Sequence, residues 1–429
     1  MTNYTVDLQL FAAGDTVMGT SGYVNANTGT SSAYGAGGLS PEMKTFYDKT
    51  LITLAGANLV HEQFGQKRPI PANSGRTVEF RRFSSLPKAM TPITEGVTPA
   101  GNKLTVTPVV ATLEQYGDYI EQTDLLELTA VDNTIVETTK KLADQAGKTI
   151  DTVVREVINS GTNALYSPKI INGVETATIA RSYITADCKL TVRDVFRAAA
   201  ELKAMNAPKI DGYYVAIIHP YVAYDLMQEA VDEWIDIAKY ATPDSILTGE
   251  IGRLAGIRFV ESSEAKIFAP RVVSDGKRRL KVRTANSNAS TSVVINEVLT
   301  SAANVSIPIY IGGSPNTITA ISTSGYTTTL TLDTAARCAV GDVICGRGAG
   351  SDGSAVFSTL VLGADAFGVT DVENGGIEHI VKQKGYGNDP LNQRSSIGWK
   401  ALTAAEILVD EYIIRIESGS SYSAIADPN

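Results

Sequence analysis

Apolar residues recur at helical spacing between positions 132 and 159. They lie three, four or seven residues apart, so they line one face of a helix. These residues are Ile135, Leu142, Ala146, Ile150, Val153 and Val157. The pattern predicts a long helix over 132–160, ended by Ser160 and Gly161. A second helix is predicted over 191–205.

Two extended stretches precede the long helix. The segment "RTVEFRRF" at 76–83 and a longer segment near 104–120 have the composition of strands. The connection between them is rich in turn-forming residues: Pro87, Pro92, Gly96, Pro99 and Gly101. Together they predict a long two-stranded ribbon. Because an isolated ribbon is marginal in water, we expect it to lie on another surface.

The rest of the chain predicts a mixed module interrupted by a β-rich segment. The strand "GYYVAIIHP", the helical stretch after it and the strand "LAGIRFVES" indicate an α+β module. From 271 to 357 the chain is rich in Thr, Ser and Val, which predicts an all-β insertion. After residue 357 the composition again resembles that of the α+β module. The chain ends in a strand-like stretch, "AEILVDEYIIRIES". The two ends of the insertion should therefore emerge close together.

Composition narrows the functional classes. The chain has 429 residues, 43% of them hydrophobic, which is enough for two or three modules with real cores. A net charge of −9 with three histidines argues against a dedicated nucleic-acid reader. No apolar run is long enough to predict a membrane span. The three cysteines lack metal-ligand spacing and are expected to be buried thiols.

The N-terminal region has a different composition. Residues 1–40 are dominated by small and polar residues, so we expect a flexible arm that neighbouring subunits hold in place. A helix is predicted over 41–65, with Ser40 as its N-cap and Pro41 at its first position.

Five carboxylates in "EQYGDYIEQTDLLELT" raise the question of an active site. They are Glu114, Asp118, Glu121, Asp124 and Glu127. In a strand Glu114 and Asp118 lie about 13 Å apart, too far for a catalytic pair, and Glu121 falls on the opposite face. Asp124 and Glu127 form a D-x-x-E pattern ahead of an apolar stretch, which predicts a helix cap. We therefore expect architectural roles for these acids.

Two further stretches resemble binding motifs, but their neighbouring residues do not fit a zinc site or a dinucleotide site. His61 and Glu62 begin "HEQFG", where Gly65 replaces the second histidine of a zinc-binding helix. Gly348, Gly350 and Gly353 fit G-x-G-x-x-G, but a strand follows instead of the helix that a dinucleotide site requires. The sequence thus predicts no catalytic residue, no cofactor and no metal site.

The ribbon carries a local excess of positive charge. Its charged residues are Arg76, Glu79, Arg81, Arg82 and Lys88. One interpretation is a solvated strand face, where ion pairs contribute only about 0–1 kcal/mol. The other is charge complementarity to an acidic neighbour. Because the ribbon cannot stand alone, we favour the second and predict that these residues make intersubunit contacts.

The order of these elements resembles the major capsid proteins of tailed bacteriophages, which share their fold with the herpesvirus coat protein. The stretches that carry the resemblance are "YGDYIEQTDLLELTAVD", "IDGYYVAIIHPYVAYDL", "EWIDIAKYA" and "NDPLNQRSSIGWKA". They look close to the subfamily typified by the coat protein of a podovirus of enterobacteria. The likeness covers residues 40–270 and 357–420.

The resemblance implies an α+β fold with named parts. The ribbon would be the E-loop at 66–120, followed by a peripheral (P) domain at 121–189 with the helix at 132–160 as its spine. The axial (A) domain would cover 190–270 and 358–395, on either side of the insertion. A C-terminal strand in 396–429 would return to the P domain.

The resemblance also implies function and partners. Copies of the chain would form hexamers and pentamers of an icosahedral shell around double-stranded DNA, assembled in the bacterial cytoplasm. A separate scaffold protein, a portal protein and non-specifically contacted DNA would be partners, and a membrane would not. Two alternatives remain open: a hydrolase that uses His219, and a carbohydrate-binding adhesin built on the insertion.

Overall fold

The structure is a computed structural model. It describes residues 60–70, 75–83, 86, 88–90, 92, 95–96, 101–125, 134–171, 173–229, 250–311, 314–371, 377–382, 384 and 391–429. The predicted arm at 1–40, the predicted helix at 41–65 up to residue 59, Glu127 and the stretch "EWIDIAKYA" lie outside the described residues.

The described residues form three α-helices and 22 strands. The helices are α1 Thr134–Asn159, α2 Val192–Ala204 and α3 Pro220–Glu229. The first eleven strands are β1 Gln66–Lys67, β2 Thr77–Phe83, β3 Val106–Thr112, β4 Glu114–Thr123, β5 Ala164–Tyr166, β6 Lys169–Ile171, β7 Val174–Thr176, β8 Tyr214–Ile218, β9 Glu250–Leu254, β10 Ile257–Glu261 and β11 Ile267–Phe268. The other eleven are β12 Arg279–Lys281, β13 Asn286–Ile295, β14 Ile307–Ile311, β15 Ser314–Ser324, β16 Thr327–Cys338, β17 Val343–Gly346, β18 Val356–Leu362, β19 Phe367–Asp371, β20 Ile377–Lys382, β21 Arg394–Ile407 and β22 Ile413–Ser418.

The chain divides into two compact units. The first comprises 1–63, 67–154 and 368–406, and the second comprises 64–66, 155–367 and 407–429. No helix among the described residues is both long enough and apolar enough to cross a membrane.

The first unit is a helix packed on a sheet. Strand β21 lies between β4 and β20, and both pairings are antiparallel. Helix α1 buries an apolar stripe against one face of β21, as its spacing predicts. The buried residues of this contact are Leu142, Ala143, Ala146, Ile150, Ile397, Trp399 and Ala401. In this layer β4 lies next to the exposed side of α1, where the Gln145 side chain donates to Asp118.

The second unit is built on a seven-stranded sheet. Its strand order is β5-β22-β18-β8-β10-β9, with β11 paired to β18. All five residues of β8, "YVAII", are buried, as expected for a strand covered on both faces. Helix α2 begins with a capping box in which the Thr191 side chain accepts from the Asp194 backbone N–H, and the Asp194 side chain accepts from Thr191.

The insertion forms a six-stranded sheet with its own core. Its strand order is β12-β17-β14-β15-β16-β13. The sheet closes on itself because the Arg283 N–H donates to the Val294 carbonyl at 2.8 Å and the Asn296 N–H donates to the Lys281 carbonyl at 2.9 Å. Fourteen buried residues fill the inside, among them Leu280, Ile309 and Leu330. The insertion is therefore a small closed barrel.

The two ends of the insertion meet on one pair of strands. Phe268 of β11 pairs with Val356 of β18, and Ile267 pairs with Phe357. The prediction that the ends emerge together is confirmed by this pairing. The insertion therefore connects two antiparallel strands, β11 and β18, that both belong to the seven-stranded sheet.

The structure differs from the sequence prediction in the C-terminal third. The segment 358–395 was expected to return to the A domain, yet 368–406 belongs to the unit of α1. A C-terminal strand in 396–429 was expected to return to the P domain. Strand β21 packs on α1, whereas β22 pairs with β18 and β5 in the seven-stranded sheet. Strand composition predicts that a segment is extended, whereas its sheet depends on non-local pairing that the pattern does not encode.

Candidate intersubunit surface

Strands β2 and β3 form the predicted ribbon. They pair antiparallel over seven positions, from Thr77 with Thr112 to Phe83 with Val106. Among the described residues neither strand pairs with a third, so the two form a sheet of their own. Paired residues share a face, and successive residues alternate between faces. The ribbon therefore has two distinct faces.

One face of the ribbon is anchored at its root. Phe80 is buried, and its ring lies so close to Gly368 of β19 that a Cβ added there would be 2.6 Å from the ring. Ala111 and Leu113 are buried as well. The Arg76 guanidinium donates to the Leu113 carbonyl at 3.0 Å, which holds the two strands together where they begin.

The other face of the ribbon is exposed and largely apolar. Phe83 is 58% exposed and Val110 is 55% exposed. Val106, paired with Phe83, is exposed too. Sequence reasoning singled out only the charged residues here, although the alternation of apolar residues in β3 could have indicated this face. Exposed apolar side chains on an otherwise unsupported ribbon indicate a contact surface.

The predicted contact residues occupy different positions on this ribbon. The Arg81 side chain pairs with Glu79 at 3.2 Å on the exposed face, and both side chains remain about half exposed or more. Arg82 and Lys88 are exposed. Arg76 is the exception, because its guanidinium binds the backbone of its own ribbon. Arg81 and Lys88 are thus exposed to a partner, whereas Arg82, though exposed, lies on the same face of the ribbon as Phe80.

An acidic layer lies beside α1. Between Lys103 and Lys140 the sequence has seven Asp or Glu and no Lys or Arg. Strand β4 carries three of these acids, Glu114, Asp118 and Glu121, in exposed positions. The carboxylate of Asp118 accepts from the Gln145 side chain of α1 at 2.7 Å, and this bond lowers the pKa of Asp118. Asp118 is therefore charged and turned toward the helix.

The exposed side of α1 forms a shallow groove. Its volume is about 490 Å³, and it is lined by helix residues: Lys141, Asp144, Gln145, Lys148, Thr149, Thr152 and Val153. Gln145 links this groove to β4 through Asp118 and to β21 through the Trp399 indole N–H at 3.4 Å. Groove and acidic strand thus form one continuous surface, which we call the α1–β4 surface.

The predicted helix cap is described only in part. The Asp124 carboxylate accepts from the Leu125 N–H at 2.7 Å, and the Asp124 N–H donates to the Gln393 carbonyl. Glu127 lies outside the described residues, so the D-x-x-E cap stays a prediction.

The three histidines lie in separate places. His61 is fully buried and its Nδ1 lies 2.7 Å from the Asp151 carboxylate, a pairing that no sequence motif indicated. His219 packs against Tyr221 and Phe357, and burial lowers its pKa to about 4. His379 is buried in β20. Within the described ranges no group of three or more His, Cys, Asp or Glu could hold a metal ion, and all three cysteines are buried thiols outside any disulfide.

Comparison with known proteins finds one matching family model and a shared fold. Residues 106–286 match a family model described as phage capsid protein. That range includes β3, β4 and α1. It also includes the five strands of the seven-stranded sheet that precede the insertion in the chain. No curated protein matches the chain.

Three solved capsid structures are similar to this chain. The capsid of cyanophage P-SCSP1u is 13% identical, with a TM-score of 0.50, and the alignment covers 85% of this chain and 89% of that one. The capsid of Ralstonia phage GP4 is also 13% identical, with a TM-score of 0.48 over 85% and 88% of the two chains. The head structure of Helicobacter pylori bacteriophage KHP40 is 10% identical, with a TM-score of 0.45 over 83% and 87%. The first of these likenesses shows the fold.

Proposed function

We propose that this chain, a phage major capsid protein, joins its copies into the virion shell by laying the β2–β3 ribbon of one copy on the α1–β4 surface of a neighbour. The predicted resemblance to tailed-phage capsid proteins is confirmed by the family match and the shared fold. The proposal concerns which residues make the contact. The closeness to one podovirus subfamily stays a prediction.

The observation that carries the proposal is the exposed ribbon face. A two-stranded ribbon anchored near Phe80 leaves Phe83, Val106 and Val110 exposed to water. Burying each such side chain contributes about 1.5–3 kcal/mol when the burial is complete. A neighbouring copy is the partner that a shell always supplies, because closed assemblies repeat the same contact around their symmetry axes.

Charge favours the β4 side of the α1–β4 surface as the site that receives the basic residues of the ribbon. Arg81 and Lys88 are exposed, and Glu114 and Asp118 lie exposed on β4. The groove on α1 itself carries Lys141 and Lys148 beside Asp144. Each exposed pair contributes only about 0–1 kcal/mol, so the charges select orientation and register more than they provide affinity. The groove on α1 offers room for the apolar side chains of the ribbon.

The finer assignments belong to the same proposal. The ribbon acts as the E-loop and α1 as the spine of the P domain. The seven-stranded sheet forms the A domain. Copies assemble as hexamers and pentamers in the host cytoplasm, with a separate scaffold protein, a portal protein and non-specific contact to packaged DNA. The net charge of −9 suits a shell that encloses DNA without binding it tightly.

A charge-swap experiment tests the contact. Arg81→Glu with Lys88→Glu should leave folded subunits that assemble poorly, and Glu114→Lys with Asp118→Lys should do the same. A chain with all four changes should regain assembly, because the attraction is restored with opposite signs. Sedimentation and electron microscopy measure the yield of shells.

The control has the same change of charge elsewhere. Arg197→Glu with Lys203→Glu alters two exposed residues of α2 and should leave the yield unchanged. Normal assembly of both two-residue variants of the ribbon and of β4 would contradict the proposed contact. Failure of the four-residue variant, with both parents also failing, would show that these residues do not face each other.

A further inference from the structure

Charge is divided unevenly between the insertion and the rest of the chain. Residues 271–357 contain eight Lys or Arg against five Asp or Glu. The remaining residues contain 29 Lys or Arg against 41 Asp or Glu. The insertion is thus a basic body carried by an acidic subunit, although its size and fold demand no such bias.

The positive charge is concentrated on one edge of the barrel. Five basic residues and no acid occur in "GKRRLKVR" at 276–283. Leu280 and Val282 point into the core, so the alternating residues Lys281 and Arg283 point outward, about 7 Å apart. Arg337 precedes Cys338, which pairs with Asn286, and therefore lies at the same end of the barrel as Arg283.

Three of these side chains have no partner within their own subunit. Lys281, Arg283 and Arg337 are exposed, and among the described residues their side chains form no ion pair and no hydrogen bond. The nearby Glu297 accepts from the backbone N–H of Lys281 at 3.0 Å, which leaves the Lys281 ammonium group unpaired.

The other three basic residues of this stretch have partners nearby. Lys277 interacts electrostatically with Asp275. The Arg279 guanidinium donates twice to the Gly353 carbonyl, at 3.0 and 2.6 Å. The Arg278 guanidinium donates to the Pro270 carbonyl at 2.9 Å. These two arginines tie the barrel to the two chain segments that enter and leave it. The unpaired charges are therefore the ones farther along the strand from this attachment.

We infer that Lys281, Arg283 and Arg337 form a basic patch through which the insertion of one copy binds an acidic surface on a second copy in the shell. Charge complementarity favours this partner, because the chain outside the insertion carries the excess of carboxylates. The inference rests on the proposed function, since only an assembled shell brings copies close enough. The contact would join neighbours outside the ribbon contact and add stability to the finished shell.

The first test measures shell stability. Lys281→Glu with Arg283→Glu should still form shells, since the ribbon contact is intact. At low salt these shells should disassemble several degrees below wild-type shells in a light-scattering melt, and the difference should shrink at about 0.5 M salt, where charges are screened. Arg197→Glu with Lys203→Glu is the control with the same change of charge. Equal melting of variant and wild-type shells at both salt concentrations would overturn the inference.

The second test identifies the partner. Shells assembled from a mixture of ¹⁴N and ¹⁵N chains are treated with a carbodiimide, which joins an ammonium group to a carboxylate in direct contact. Mixed-isotope peptides linking Lys281 to an Asp or Glu outside 271–357 are expected. Links from Lys281 only to its own insertion, such as to Glu297, would contradict the inference.

These outcomes are separable from failure of the proposed function. If the wild-type chain forms no shells even when it is co-expressed with the scaffold protein of its phage, the proposed function fails first. If variant shells melt like wild-type shells but no longer bind phosphocellulose, the patch binds a polyanion instead of a second copy, and the inference is wrong.

Discussion

Phe80 of the ribbon closes over Gly368 of β19, and a Cβ at position 368 would lie 2.6 Å from the Phe80 ring. This contact is one of the points at which the ribbon joins the body of its own unit, together with the buried Ala111 and Leu113. The ring position of Phe80 therefore requires a residue without a side chain at 368.

Gly368→Ala should push the Phe80 ring out of its site. We expect a loss of about 1–3 kcal/mol, the usual range for overpacking a core. Phe80→Leu removes the ring that the new methyl group at position 368 would strike. The double variant should therefore lose less free energy of unfolding than the two single variants lose together. Urea unfolding of the four proteins measures the coupling. Strictly additive effects would show that the two residues do not compete for the same space.

Shortening the ribbon should separate folding from assembly. Replacing residues 86–102 by a short Gly/Ser turn leaves β2, β3 and the Phe80 contact in place, so the subunit should stay folded. Without the far part of the ribbon, stable shells should not form. Circular dichroism and sedimentation measure the two properties. An unfolded subunit, or normal shells, would be incompatible with a role of the ribbon as a clasp between copies.

The sequence predicted local features better than pairing. Helix α1 runs from Thr134 to Asn159, where the periodicity predicts 132–160, because its apolar stripe is a local signal. The single strand expected near 104–120 is instead β3 and β4, which meet at the buried Leu113 and pair with different partners. No local pattern marks that change of partner.

For the candidate intersubunit surface too, local features were predictable from the sequence and contacts between distant residues were not. Basic residues on the ribbon were predicted from composition, and Arg81, Arg82 and Lys88 are exposed there. The role of Arg76 in its own ribbon and the close contact of Phe80 with Gly368 were not predictable, because each depends on residues far apart in the sequence. The prediction for Arg81 and Lys88 as intersubunit residues awaits the charge swap.

Removing the barrel should leave the surrounding sheet intact. We expect that replacing residues 273–346 by a short Gly/Ser linker gives folded subunits, because Phe268 still pairs with Val356. The segment 347–356 is kept because the Ser351 N–H donates to the Ile184 carbonyl at 2.8 Å. Electron microscopy should show shells that lack only local density. Aggregated subunits would mean that the barrel completes the core of the second unit.

His219 should make stability fall with acidity. Burial lowers its pKa to about 4 from 6.5, and its Nδ1 accepts from the Tyr221 N–H at 3.2 Å, so the folded chain holds it neutral. As pH falls below 6.5, His219 becomes protonated in the unfolded chain but stays neutral in the folded chain until the pH approaches about 4. The stability contributed by neutral His219 is therefore present above pH 6.5 and lost progressively toward pH 4.

The expected loss from this group between about pH 7 and about pH 5 is roughly 2 kcal/mol. His219→Gln does not titrate there and should remove that part of the slope, while the carboxylates contribute equally in both proteins. Urea unfolding of subunits at several pH values measures it. Parallel slopes for wild type and variant would mean that His219 titrates alike in the folded and unfolded chains.

The ribbon of one copy is proposed to lie on the α1–β4 surface of another. Electron cryo-microscopy of shells assembled together with the scaffold protein shows whether it does. The proposed contact predicts density for β2 and β3 across a neighbour's α1, with Phe83 and Val110 facing the groove at Gln145 and Arg81 beside Glu114 and Asp118. Shells in which each ribbon contacts only its own subunit, or lies away from every α1–β4 surface, would contradict it.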